Sequence, residues 1–201
     1  ENVKLATLGL GLDTKITFDG ERFRNKYGIK EPFIMYAGRK DAGKNVDTLI
    51  QYFQEYKRRN RTDLKLVLIG GGVISVPKEI KNEVIDLGYV DIQDKYDAYG
   101  AAELLCQPSK NESFSLVIME SWLCGTPVLV HEDCPVTKNF VVESNGGLYF
   151  KNYFEFEGTV SYIFSQSKVK EELGKNGQVY VKSNFGWNVI VERYMQFFNI
   201  L

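Results

Sequence analysis

Six short apolar runs, near 33–37, 64–69, 84–87, 104–106, 128–131 and 148–150, recur along the chain with helix-length polar or amphipathic sequence between them. The clearest, Phe33-Ile34-Met35-Tyr36-Ala37, does not alternate apolar with polar residues, so a strand there must be buried on both faces. Doubly buried strands separated by helices predict an α/β fold, a doubly wound Rossmann-like parallel sheet of about six strands. Helices are predicted over Val46–Arg59, where Val46, Leu49, Ile50, Phe53 and Tyr56 recur at helical spacing, over Ile92–Ala101 and over Val136–Glu143. Such sheets bind ligands outside the carboxyl ends of their strands, and Gly38, Gly70–Gly72, Gly88 and Asn111-Glu112 all fall at that edge.

Composition narrows the function classes. A chain of 201 residues, 44% hydrophobic, can bury one ample domain. Its formal charge of -1 excludes a bulk electrostatic grip on nucleic acid or on an acidic membrane surface. The three cysteines, Cys106, Cys124 and Cys134, lack C-x-x-C spacing and read as reduced thiols of a cytoplasmic, soluble protein. Residues 1–30, with an apolar segment at Val3–Leu8, read as a lead-in, 31–184 as the sheet domain, and 185–201 as a terminal helix with more apolar side chains than one face needs, part of it expected to be exposed or buried in a chain-to-chain contact.

Chemistry concentrates at Asn111–Val130, NESFSLVIMESWLCGTPVLV. Glu112 precedes a helix that is apolar nearly all round, and Glu120 lies within it. Burying an ionised carboxylate without donors costs several kcal/mol, so Glu120 requires a cation, backbone N–H groups or ligand hydroxyls. A buried ion pair and a ligand contact both satisfy that demand. Gly125 and Pro127 end the helix, and Ser113 or Ser115 is placed to cap its first turn, a ready anion site. Gly38 to Asn45, GRKDAGKN, is a phosphate-shaped loop carrying Arg39 and Lys44. It scans as G-x-x-x-x-G-K, but Asn45 replaces the hydroxyl that holds Mg²⁺ in a P-loop. Gly70-x-Gly72 lacks the third glycine of a dinucleotide fingerprint and suits either a tight connection or a ligand's approach. His131 has no evident partner and stays outside the chemistry.

Glu112, seven residues and Glu120, embedded in ESFSLVIMESWLCGTPVLV, resemble the signature of retaining glycosyltransferases of family 4, the group-1 glycosyl transferases with the GT-B fold. Gly38, Arg39 and Lys44, the turn Gly70–Gly72, Leu87–Val90 and Pro108-Ser109 extend the resemblance, which runs from about Phe33 to Phe198. It implies the carboxyl-terminal, donor-binding half of such an enzyme. Arg39 and Lys44 would hold the donor diphosphate, joined by backbone N–H groups at Phe114, Ser115 and Leu116. Glu112 would meet hydroxyls of the transferred sugar and Glu120 those of the ribose, while main-chain groups at Gly88, Tyr89 and Val90 read the base beside Gly38 and Gly70. Glu112, Arg39 and Lys44 are the implied catalytic residues, with no metal or other cofactor. The implied partners are a nucleotide sugar, a sugar, glycan or lipid-linked acceptor, and a missing amino-terminal domain that also offers a peripheral membrane contact; nucleic acid is excluded. The chain alone is then an inactive half, with its terminal helix free to self-associate. Ser115 stands where the family has glycine, and Trp122 replaces a smaller residue. A non-catalytic nucleotide-sugar-binding module and a sugar-nucleotide epimerase of the same architecture remain alternatives.

Overall fold

The computed structural model describes residues 8–200, so most of the apolar segment at residues 3–8, and Leu201, lie outside the described residues. Six strands, β1 (Phe33–Ala37), β2 (Lys65–Ile69), β3 (Val84–Gly88), β4 (Leu104–Gln107), β5 (Val128–His131) and β6 (Gly147–Phe150), form one sheet in the order β3-β2-β1-β4-β5-β6. Every neighbouring pair is parallel. The chain builds outward from β1 to β3 and then returns to place β4 on the other side of β1. That reversal opens a crevice at the carboxyl ends of β1 and β4, where this topology binds ligands.

Eight helices accompany the strands among the described residues: α1 (Gly20–Tyr27), α2 (Val46–Arg59), α3 (Ile92–Ala101), α4 (Leu116–Leu123), α5 (Pro135–Ser144), α6 (Tyr153–Ser165), α7 (Ser167–Phe185) and α8 (Trp187–Ile200). Successive residues of β1 serve opposite faces of the sheet. Phe33, Met35 and Ala37 join a core with Ile118 and Trp122 of α4, and Ile34 and Tyr36 join one with Leu49 and Phe53 of α2. β3 departs from the expected double burial, since it forms the edge of the sheet and keeps Asp86 exposed.

Within the lead-in, residues 20–27 form a helix. Asp19 caps it by accepting from the N–H groups of Glu21 and Arg22, and Gly28 closes it in the left-handed conformation. This helix fixes α3. The Asp97 side chain has no exposed surface, yet it accepts from Arg22 Nε at 2.5 Å, Arg22 Nη2 at 2.7 Å and the Asp19 N–H at 2.8 Å. Burial opposes ionisation of Asp97, but the Arg22 and Asp19 hydrogen bonds outweigh it and hold the carboxyl below its ordinary range.

The position of α4 depends on glycines in α7. A side chain at Gly174 would run into the Gly125 carbonyl, and one at Gly177 into the Trp122 ring. Their absence lets α7 close over α4, whose Trp122 indole donates to the Gly146 carbonyl at 2.7 Å. Gly125, at φ 73°, turns the chain out of α4 as the sequence predicts. Leu116, in the first turn, is half exposed, so enclosure is complete only for Ile118, Met119, Ser121, Trp122 and Leu123. On α8, Trp187, Val191, Tyr194, Met195 and Phe198 are exposed. Among the described residues no helix is long and apolar enough to cross a membrane. All three cysteines are buried and unpaired.

Alanine at two helical glycines separates packing from propensity. Gly158 of α6 has open space around it, so Gly158→Ala should stabilise by about 0.5–1 kcal/mol. Gly174→Ala gains the same propensity but overpacks the α4–α7 contact, and a net loss of about 1–3 kcal/mol is expected. Urea unfolding of both variants measures the difference; stabilisation by both substitutions would show that α7 does not bear closely on α4.

Candidate functional site

A cleft of about 340 Å³ opens at the carboxyl ends of β1, β2 and β3, lined by Gly38, Arg39, Gly70, Tyr89, Val90 and Lys95 among others. Its floor is a laced set of turns. The Gly38 N–H donates to Ile69 O at 2.9 Å, the Lys40 N–H to Gly71 O at 2.7 Å, and the Gly70 N–H to Gly88 O at 2.7 Å. Gly70, at φ 125°, has no room for a side chain because the Gly38 carbonyl lies against its Cα. The glycine turn is therefore a tight connection that also walls the cleft. Lys40, which the sequence did not single out, is buried and donates from Nζ to Asp86 Oδ1 at 2.7 Å and to the Gly70 carbonyl. Gly88 uses both main-chain groups inside the fold, its N–H on Asp86 Oδ1 at 3.0 Å and its carbonyl on Gly70.

Arg39 and Lys44 rest on different carboxylates. Arg39 is largely exposed, 3.5 Å from Asp41, with its chain along the cleft. Lys44 ends a short 3-10 turn after β1 and donates to both oxygens of Glu112, at 2.8 and 2.9 Å. This pair is mostly enclosed, with side-chain exposures of 22% and 9%. Asn45, in the left-handed conformation at φ 58°, donates from Nδ2 to Pro108 O at 3.0 Å and so ties the two loops that bear Lys44 and Glu112. An amide serves that tie, which accounts for Asn45 at the position of a P-loop hydroxyl.

Glu120 is held by α3. Lys95 Nζ donates to Oε1 at 2.8 Å and the Tyr99 hydroxyl to Oε2 at 3.0 Å, so the ion pair that burial demands is present. Neither donor was singled out from the sequence, although their spacing of four residues places both on one helix face, opposite a carboxylate in need of partners. Burial raises the Tyr99 hydroxyl well above its ordinary range, with the Glu120 charge adding to it, and the same two causes push the Cys124 thiol up to about 12. Ser115 occupies the N-cap of α4 without capping it. Its backbone is left-handed, at φ 68° and ψ 73°, rather than extended as a side-chain cap requires, and its hydroxyl is buried with no hydrogen-bond partner. Phe114 packs on Phe140 and Phe185, with ring centroids 5.5 and 5.3 Å away. His131 is buried, and its Nδ1 accepts from the Asp133 N–H at 3.1 Å; burial and then the charge of Lys110 lower its pKa. Among the described residues no three His, Cys, Asp or Glu side chains gather in a way that would hold a metal ion.

Residues 19–180 match the family model described as glycosyl transferases group 1. The chain belongs to this family. A D-inositol 3-phosphate glycosyltransferase of Gordonia bronchialis is 26% identical over 94% of this chain and 45% of its own length. An N-acetylgalactosaminyltransferase of Campylobacter jejuni, acting on a diphospho-undecaprenol-linked sugar by its name, is 35% identical over 55% of this chain and 30% of its own. The fold matches Anabaena HepE in complex with UDP (TM-score 0.81, 18% identity, 95% of this chain and 56% of that one). It also matches sucrose-phosphate synthase from Thermosynechococcus elongatus (TM-score 0.77, 22% identity, 96% and 51%). The chain spans about half the length of curated relatives that it matches over most of its own.

In this group 1 glycosyl transferase domain, the Lys44–Glu112 contact is an enclosed ion pair that joins the β1–α2 and β4–α4 loops. Removing one partner strands the other. Lys44→Met should cost about 2 kcal/mol, a value below the full buried-pair penalty because Lys44 retains some exposure. Adding Glu112→Gln should recover at least half of that loss, which denaturant unfolding of the two variants will report. Additive losses would show that the two side chains act independently.

Proposed function

We propose that this chain is the donor-binding domain of a retaining family 4 glycosyltransferase, holding a nucleoside-diphosphate sugar for transfer to an acceptor. One juxtaposition carries the reading: Arg39 beside the cleft, the Lys44–Glu112 pair, and a first turn of α4 without a side-chain cap, all at the carboxyl edge of the sheet. The nucleoside occupies the cleft beneath Tyr89 and Val90, with its ribose hydroxyls donating to Glu120. The diphosphate extends toward the first turn of α4, whose N–H groups and dipole favour an anion. There it competes with Glu112 for Lys44, offering a more highly charged partner. Glu112, so released, accepts from hydroxyls of the transferred sugar. As the glycosidic bond to the diphosphate breaks, negative charge grows on the leaving oxygen, and Arg39 and Lys44 stabilise it without a metal ion. Acceptor binding is assigned to the further length that the relatives possess. Buried, unpaired thiols fit the reducing cytoplasm. HepE, solved with UDP and with UDP-glucose, makes uridine nucleotides the first donors to try.

Titration calorimetry with UDP and with uridine tests the assignment. A charge-assisted hydrogen bond contributes about 1.5–3 kcal/mol, so Arg39→Ala should weaken UDP binding roughly tenfold to a hundredfold and leave uridine nearly unchanged. Equal losses for both would mean that Arg39 shapes the cleft rather than holding phosphate.

A further inference from the structure

We infer that Lys95 is a specificity-determining residue that sets Glu120 to recognise the paired hydroxyls of a ribose, so that this domain selects ribonucleotides over 2′-deoxyribonucleotides. The inference rests on the donor-binding reading above. Its starting point is the way Glu120 is held. Lys95 and Tyr99 come from the same face of α3, and each takes a different oxygen of the carboxylate. An ionised carboxylate has about four acceptor positions, so one remains on each oxygen, in directions fixed by the two donors. Two adjacent vacant acceptors suit two adjacent hydroxyl donors. A sugar with a single hydroxyl there fills one and leaves the other covered and unpaired, which is the costly outcome.

Charge separates the roles of the two donors. Tyr99 is neutral and fully buried, and it can orient Glu120 but cannot offset its charge. Lys95 is the member of the Lys95–Glu120 pair that lines the cleft, beside Val90, Ile92 and Val117, with its ammonium 5.5 Å from the centre of the Tyr96 ring. Glu120 retains 16% of its side-chain surface. A nucleoside seated in the cleft removes water from that remainder, and covering the carboxylate costs little only while its cation stays in place beside it. Lys95 thus acts through Glu120 and is distinct from the cations assigned to the phosphates.

Calorimetry with UDP and 2′-deoxy-UDP on the full chain tests this. The unaltered chain should prefer UDP about tenfold, the worth of one hydrogen bond to a charged group. Lys95→Met should bring that ratio to about twofold or less, chiefly by weakening UDP, and Lys95→Arg should restore most of it. A residue needed only for folding would lower both affinities together, so an unchanged ratio in Lys95→Met overturns the inference, as does failure of Lys95→Arg to rescue. Absence of UDP binding by the unaltered chain is a different result, and it overturns the donor reading itself.

Discussion

Everything at the site follows from placing carboxylates beside a helix that the fold encloses. α4 is buried by the sheet beneath it and by α7, which approaches closely because Gly174 and Gly177 have no side chains to hold it off. Glu120 on that helix and Glu112 just before it are then poorly hydrated, and each must have a cation or other donors. Those partners come from elsewhere in the chain, Lys44 from the loop after β1 and Lys95 with Tyr99 from α3. The need to neutralise α4 therefore fixes three separate segments around one edge of the sheet. The position of α3 is secured in turn by Asp97 and the Arg22 of α1.

On the donor-binding reading proposed above, the same pairing makes the site responsive to an anion. Among the described residues Lys44 pairs with a single carboxylate, Glu112, so a nucleoside diphosphate of greater negative charge would compete for it directly. An exposed lysine at that place would lose much of its pull to solvent, since a charge pair interacts several times more strongly at the low effective dielectric of a partly enclosed site. Arg39 differs. Its exposure leaves it free to follow a ligand along the cleft, and its weak contact with Asp41 at 3.5 Å offers little resistance.

How much of this was legible in the sequence depended on whether the signal was local. Continuous apolar runs announce strands, and the six fell within about a residue of β1 to β6, including the edge strand β3 that is not buried on both faces. β2 begins at Lys65 rather than at residue 64 because pairing with β1 starts opposite Phe33. α1 gives no such signal, since GERFRNKY buries only Phe23 and is otherwise polar, although Asp19 and Gly28 stand at its ends as ordinary caps. The demand of Glu120 for donors, and the charges of Arg39, Lys44 and Glu112 at one sheet edge, were legible too. Their partners were not. Lys44 and Glu112 are 68 residues apart, and only the closed sheet brings them together. Lys95 and Tyr99 left a local trace in their helical spacing, but nothing in it identifies Glu120 as what they face. Ser115 misled for a different reason: serine before a helix normally caps, and the left-handed backbone that prevents it is invisible in the sequence.

The proposed site places Lys44, Glu112, Lys95 and Glu120 around one nucleoside diphosphate, across three segments of the chain. Hydrogen–deuterium exchange with and without saturating UDP tests it most directly, because exchange reports each segment separately. Slower exchange is expected together in residues 38–45, 88–95 and 112–120, with little change in α6 and α8. Protection confined to one of those segments, or centred on α5 and α7 instead, would contradict it.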